Sequence, residues 1–262
     1  MIMMDLKYFE VEINEGIAVL TFAREKVLNA LNSGLLEEGI SVLSELKKQD
    51  IRVLVVTGKG PKAFVAGADI AELKELDGRS ARTNAELGHG FMNALEQFPA
   101  PVIAAVNGFA LGGGLEVALS CDLRFASETA RLGLPEVTLG IIPGYGGTQR
   151  LSRLIGRGKA RQYVFSGKPV KAAQALADGL VEEVFPAEEL MEKTLEFAKS
   201  IAANAPLALR AAKRALNRGC DLDLTTGLQI EIAEFSGTLD TQDSHEGLGA
   251  FLEKRKSEFT GK

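Results

Sequence analysis

Residues Pro101 to Asp122 read Pro-Val-Ile-Ala-Ala-Val-Asn-Gly-Phe-Ala-Leu-Gly-Gly-Gly-Leu-Glu-Val-Ala-Leu-Ser-Cys-Asp, and the fold is decided here. Val102 to Val106 is a short apolar run of the kind that makes a fully buried strand. Gly112, Gly113 and Gly114 follow, and Leu115-Glu116-Val117-Ala118-Leu119 can then start a helix. A strand, a glycine loop and a buried helix start turn backbone N–H groups toward one point, where the helix dipole favours negative charge. Glu116 sits among apolar residues just past that point. By itself the pattern has a bland alternative, a common glycine loop followed by a Glu that reaches the surface.

Two further stretches bear on the choice. On the N-terminal side, Ala63 to Leu73 reads Ala-Phe-Val-Ala-Gly-Ala-Asp-Ile-Ala-Glu-Leu. Asp69 is a candidate helix N-cap. Ala66, Gly67 and Ala68 before it are small enough to let a ligand approach the backbone. An ordinary loop-to-helix junction would look the same. On the C-terminal side, Arg131 to Arg150 is dense in Gly and Pro, yet Leu134, Val137, Leu139, Ile141 and Ile142 predict burial. Glu136 is embedded among them. A buried carboxyl has its pKa raised by desolvation, which suits a proton donor near neutral pH. The alternative for Glu136 is a structural ion pair with Arg131 or Arg150. Gly144-Tyr145-Gly146-Gly147 then opens a helix through about Ile155.

The remaining segments alternate strands with helices, an α/β pattern. Tyr8 to Phe22 reads as a hairpin turning at Asn14-Glu15-Gly16. Asn32 or Ser33 caps a helix through about Lys48. Ile51 to Thr57 is a buried strand, and Leu73 to Phe98 is charged and helical until Pro99 and Pro101 break it. Leu123 to Ala126 is another short strand. Lys168 to Leu176 predicts a helix and Gly179-Leu180-Val181 the start of a strand. From Ala187 the chain is nearly all helical, with a basic face at Arg210 to Arg218 and a last helix over Gly247 to Glu258. The shift divides the chain into a core over residues 1–200 and a helical region over 201–262.

Composition narrows the class. The 262 residues carry a formal net charge of -5, which speaks against a polyanion-binding protein overall. Two cysteines and two histidines make neither a disulfide framework nor a transition-metal site. The opening Met-Ile-Met-Met-Asp-Leu-Lys is too short an apolar start for a signal-peptide core, and no apolar run approaches membrane-spanning length. The expectation is a reduced, soluble, cytoplasmic protein.

Taken together, Ala63–Leu73, Asn107–Glu116 and Pro135-Glu136 through Leu151 closely resemble the enoyl-CoA hydratase (crotonase) family, and Gly247–Lys256 looks like that family's C-terminal helix. The resemblance implies an α/β, crotonase-like spiral of ββα units with a C-terminal helical region that trimerises, and hexamers as dimers of trimers. It implies an acyl thioester of coenzyme A as ligand, with no separate cofactor and no metal. By position, the N–H groups of Ala68 and Gly113 would form the oxyanion hole. Glu116 would position water as base, and Glu136 would serve as acid. The Ala66 carbonyl would face the adenine, and Asp69 and Ile70 would also belong to the substrate- and CoA-binding residues. Lys26 to Leu28 would lie along the cofactor, Gly144 would lie near the thioester, and Phe251 and Lys254 would reach a neighbouring subunit's ligand.

Both carboxyl positions are kept, which favours hydration, and the whole set most resembles short-chain bacterial crotonases. The chain departs from the family pattern at Ala23-Arg24-Glu25-Lys26, where many members have Arg-Pro. It has Leu134 where many have Gln, and Ala71 where many have Lys. The alternatives are another crotonase-type reaction, double-bond isomerisation or thioester hydrolysis, and RNA binding. RNA binding would use Arg150, Arg153, Arg157, Lys159 and Arg161 with the Arg210–Arg218 face.

Overall fold

The computed structural model describes residues 6–262. The opening stretch read for a signal peptide lies mostly outside them. Hairpin β1 (Phe9–Asn14) and β2 (Ile17–Phe22) turns at Glu15 and Gly16, both at positive φ. Helix α1 (Ser33–Leu46) is capped by Asn32, whose side chain accepts from the Leu35 N–H. The chain then repeats one move. Strand β3 (Val53–Gly58) is followed by the short β4 (Ala63–Val65) and by helices α2 (Ile70–Lys74) and α3 (Gly78–Glu96). Strand β5 (Val102–Val106) is followed by β6 (Phe109–Leu111) and α4 (Gly113–Leu119). Strand β7 (Leu123–Ser127) is followed by β8 (Arg131–Gly133), α5 (Gly147–Leu154) and α6 (Gly156–Ser166). Then come β9 (Val170–Lys171), α7 (Ala172–Ala177), β10 (Glu183–Phe185), and helices α8 (Leu190–Ala202), α9 (Pro206–Gly219), α10 (Leu224–Leu239) and α11 (Gln242–Glu253).

Each repeat places its long strand in one sheet and its short strand in another. The large sheet runs β1-β2-β3-β5-β7-β10 and is parallel except for the hairpin; the small one runs β4-β6-β8-β9. This is the ββα spiral, built because a parallel strand must cross over before it can pair again. Strand β3 is buried throughout, and apolar from Val53 to Val56, because both its faces are covered. Leu54 and Val56 enter the core shared with α1, α3 and α4. Val53 and Val55 pack on the other face against Leu190 and Ala198 of α8.

Several local expectations shift. The stretch from Leu73 to Phe98 is two helices, because Asp77 and Ser80 form a reciprocal capping box that starts α3 afresh. Strands β6 and β8 occupy segments to which the sequence reading assigns no strand. The helix expected from Lys168 begins only at Ala172, after the two-residue strand Val170–Lys171, the strand expected at Gly179 begins at Glu183, and the last helix runs Gln242–Glu253, ending at Lys254 in the left-handed region. The expected boundary after residue 200 falls in the last turn of α8, which packs on the large sheet. Among the described residues, no helix is long and apolar enough to cross a membrane.

Candidate active site

The glycines of Gly112–Gly114 let α4 approach its neighbours backbone to backbone. Gly112 has φ +51 and ψ -123, a conformation open to glycine and strained for other residues. A Cβ on Gly114 would lie 1.8 Å from the Val65 carbonyl oxygen, so only glycine allows α4 to rest against β4. The loop after β4 is held by Leu31, whose N–H donates to Gly67 O at 2.9 Å and whose carbonyl accepts from Asp69 N at 2.7 Å. In a parallel bridge those bonds go to the residues flanking Ala68, so the Ala68 N–H turns to the opposite side. The Gly113 N–H, in the first turn of α4, has no intrahelical acceptor. The two groups are neighbours: a Cβ on Gly113 would sit 3.6 Å from Ala68 N. Ala68 and Gly113 line one cavity of about 520 Å³, together with Glu116 and Glu136.

Glu116 is 2% exposed. Its Oε1 accepts from Tyr145 N at 2.8 Å and from Gly147 N at 2.7 Å, at the N-terminus of α5. Burial pushes its carboxyl up to about 7; the two N–H bonds and Arg150 oppose that rise, and the nearby Glu136 adds to it. Glu136 starts a 3-10 turn, Glu136–Leu139, and burial raises its carboxyl too. Its Oε2 is buried with no hydrogen-bond partner. The ion-pair alternative is not realised. Arg131 donates to the carbonyls of Thr129 and Ala130, and Arg150 donates to Glu96 at 2.6 Å and Asn93 at 2.9 Å. Two interacting carboxyls on one cavity titrate as a pair.

The apolar residues after Glu136 depart from expectation. Leu134 is buried, but Leu139, Ile141 and Ile142 are exposed, Ile142 to 69%. Gly140, in the left-handed region, turns this segment outward. There the three residues line the cavity together with Leu73 and Leu76. Periodicity reads hydrophobicity and cannot tell a core from a ligand wall.

Ala66, Ile70 and Gly144 also line the cavity. Gly144 precedes α5, which begins only at Gly147. Asp69 caps α2 through Ala71 N and pairs with Arg24 at 3.3 Å. Lys26 and Leu28 line a separate depression of about 350 Å³ with Lys59 and Lys62. Leu28 is tied to the loop of the site by the Ala66 N–H, which donates to Leu28 O at 3.0 Å. Phe251 and Lys254 lie at the end of α11 and line no part of the cavity in the single chain; Phe251 is 82% exposed. Sequence reasoning missed the Tyr145 and Gly147 N–H donors, because backbone direction in a glycine-rich loop has no side-chain signal. Five of the nine residues in the basic rows are paired: Arg150 with Glu96, Arg153 with Asp221, Lys159 with Asp178, Lys213 with Asp122 and Arg214 with Glu234. Such pairing lowers their use to a nucleic acid. Among the described residues, no group of three or more His, Cys, Asp or Glu is placed to hold a metal ion.

A family model described as enoyl-CoA hydratase/isomerase matches residues 12–262. A protein of Clostridium acetobutylicum named short-chain-enoyl-CoA hydratase is 47% identical over 256 residues, covering 97% of this chain and 98% of that one. A crotonyl-CoA hydratase of Syntrophomonas wolfei is 44% identical over 252 residues, covering 96% and 97%. The crystal structure of an enoyl-CoA hydratase from Bacillus anthracis superimposes with a TM-score of 0.95 at 44% identity, covering 98% of this chain and 100% of that one.

Proposed function

The chain belongs to the enoyl-CoA hydratase/isomerase family, and from that premise we propose that it adds water reversibly to short-chain 2-trans-enoyl-CoA thioesters such as crotonyl-CoA, giving 3-hydroxyacyl-CoA. The observation that carries this reading is two carboxyls of raised pKa and two adjacent backbone N–H groups on one cavity. The relatives' names support a short acyl chain.

The chemistry follows from charge. Attack of water at C3 moves negative charge onto the thioester oxygen, and the Ala68 and Gly113 N–H groups meet it there. Donors of this kind are worth about 2.7–4 kcal/mol each in other enzymes. Glu116 takes the proton from water, and Glu136 gives one to C2, so the elements of water are added and the pair ends with its single proton exchanged between partners. The hydrogen bonds favour this division: two N–H groups support the charged form of Glu116, and none supports Glu136 Oε2.

The CoA moiety would run past Ala66, Asp69 and Ile70 toward Lys26 and Leu28, with Gly144 near the thioester. Phe251 and Lys254 would come from a neighbouring subunit of a trimer, or of a hexamer made of two trimers. The exposed apolar stripe on α10 supports such an assembly. CoA enters as part of the substrate, so no separate cofactor is needed, and the cytoplasm is the expected compartment.

The test is the product formed from crotonyl-CoA in heavy-oxygen water. Hydration gives 3-hydroxybutyryl-CoA with heavy oxygen at C3 and an intact thioester. Release of free CoA thiol, or a shifted double bond without oxygen uptake, would contradict the proposal.

A further inference from the structure

Tyr145 meets Glu116 through its backbone, but its side chain runs the other way, into α3. The hydroxyl donates to Asn84 Oδ1 at 2.6 Å, and both residues are buried. One turn further along the same face of α3, Gly88 leaves a notch for the ring: a Cβ there would lie 2.1 Å from Tyr145 Cδ1. Asn84 Nδ2 donates in turn to Ser33 Oγ at 3.3 Å, and the Ser33 hydroxyl donates to Glu72. Glu72 also accepts from the Ser33 N–H at 3.0 Å, at the start of α1. The chain therefore ends on α2, the helix that follows Ala68. The Tyr145 ring also backs the other donor, since a Cβ on Gly113 would lie 3.5 Å from Tyr145 Cδ2.

We propose that the Tyr145 hydroxyl and Asn84 are positioning residues for Glu116: they hold the Tyr145 N–H on Glu116 Oε1, keeping that oxygen tied and leaving Oε2 for proton transfer. The proposal rests on the reading of Glu116 as the base. A Tyr145 anchored at both ends cannot swing its N–H away as the loop fluctuates, so the charged carboxylate keeps its donor. The other charges facing Glu116 are Glu136 and, on α5, Arg150, while Glu72 faces the Tyr145 ring. Neither Arg150 nor Glu136 changes in the variants below, so a change in Glu116 titration reports on the donor.

The experiment compares wild type with Tyr145→Phe, Asn84→Leu and the double variant. Steady-state hydration of crotonyl-CoA is followed across pH. In parallel, infrared difference spectra follow the carboxyl band that is missing in Glu116→Gln, a readout needing no turnover. Each single variant is expected to lower kcat by about threefold to tenfold, the worth of one hydrogen bond. KM should change less than twofold, and the acidic limb and the carboxyl titration should move to higher pH. The double variant should be no worse than the weaker single one. Unchanged kcat and titration, a loss confined to KM, or additive losses would overturn the proposal. If the wild type hydrates no enoyl-CoA, the assigned function fails, and the infrared titration still decides the positioning role.

Discussion

Glu116 is pulled two ways: two backbone N–H groups favour its charged form, while burial favours its neutral one. Burial sets the net direction, so between 4.5 and about 7 the folded state holds a proton that the unfolded chain has lost, while above about 7 Glu116 is the charged base. Stability is then lost as pH rises from 4.5 through about 7. Glu116→Gln is expected to gain stability relative to wild type across that window, read from urea unfolding at a series of pH values; a constant difference would count against the burial argument. Gly112 offers a second test. Its φ is +51, and a Cβ there would stand only 3.0 Å from Glu136 Oε1. Gly112→Ala should therefore cost about 1–2 kcal/mol in unfolding free energy and disturb Glu136. Glu116 and Glu136 are legible in the sequence as charges embedded among apolar residues. Their different partners are not, because these come from backbone groups that tertiary packing aims. Leu139, Ile141 and Ile142 mislead for a related reason: the apolar lining of a cavity has a core's composition yet stays exposed in the single chain.

Among the elements, α9 is tied to the sheet core by one buried cation. Lys213 Nζ lies 2.6 Å from Asp122 Oδ2 and donates to Ala100 O at 3.1 Å, flanking β5 at its start. Asp122 also accepts from Val102 N at 2.7 Å, and burial raises its carboxyl against the pull of Lys213. Lys213→Ala would leave the partly buried Asp122 carboxylate without its cation, with an expected loss of up to about 3–5 kcal/mol in chemical denaturation. A loss below about 1 kcal/mol, the level of an exposed pair, would show that solvent relieves the site. The long strands and the capped helices are readable because five or more residues suffice to show a pattern. Strands β6 and β8 span three residues each, too few for periodicity; β6 exists because β4 offers an edge to pair with, and β8 because β6 offers the next. The break before α3 does have a signal, Asp77 three residues ahead of Ser80, but a charged run conceals it.

At the scale of the whole molecule, α10 has no buried residue in the single chain. Leu224, Leu228, Ile232, Phe235 and Leu239 form an exposed stripe along it, and a groove of about 670 Å³ separates α10 from α9. An apolar stripe of this kind marks an association surface. Ile232→Glu combined with Phe235→Asp is expected to convert an oligomer to monomer in analytical ultracentrifugation; an unchanged mass would place the interface elsewhere. The spiral itself is foreseen through the family resemblance rather than from periodicity, which shows only an alternation of strands and helices. If two buried carboxyls perform hydration beside an oxyanion hole, the loss of enone absorbance of crotonyl-CoA must depend on both of them. Measured with wild type, Glu116→Gln and Glu136→Gln, hydration is expected to be rapid in wild type and to fall in each variant by at least the roughly 10²–10⁴ that general acid–base groups supply. A variant that keeps wild-type kcat/KM, or a wild type that binds crotonyl-CoA without hydrating it, would contradict this expectation.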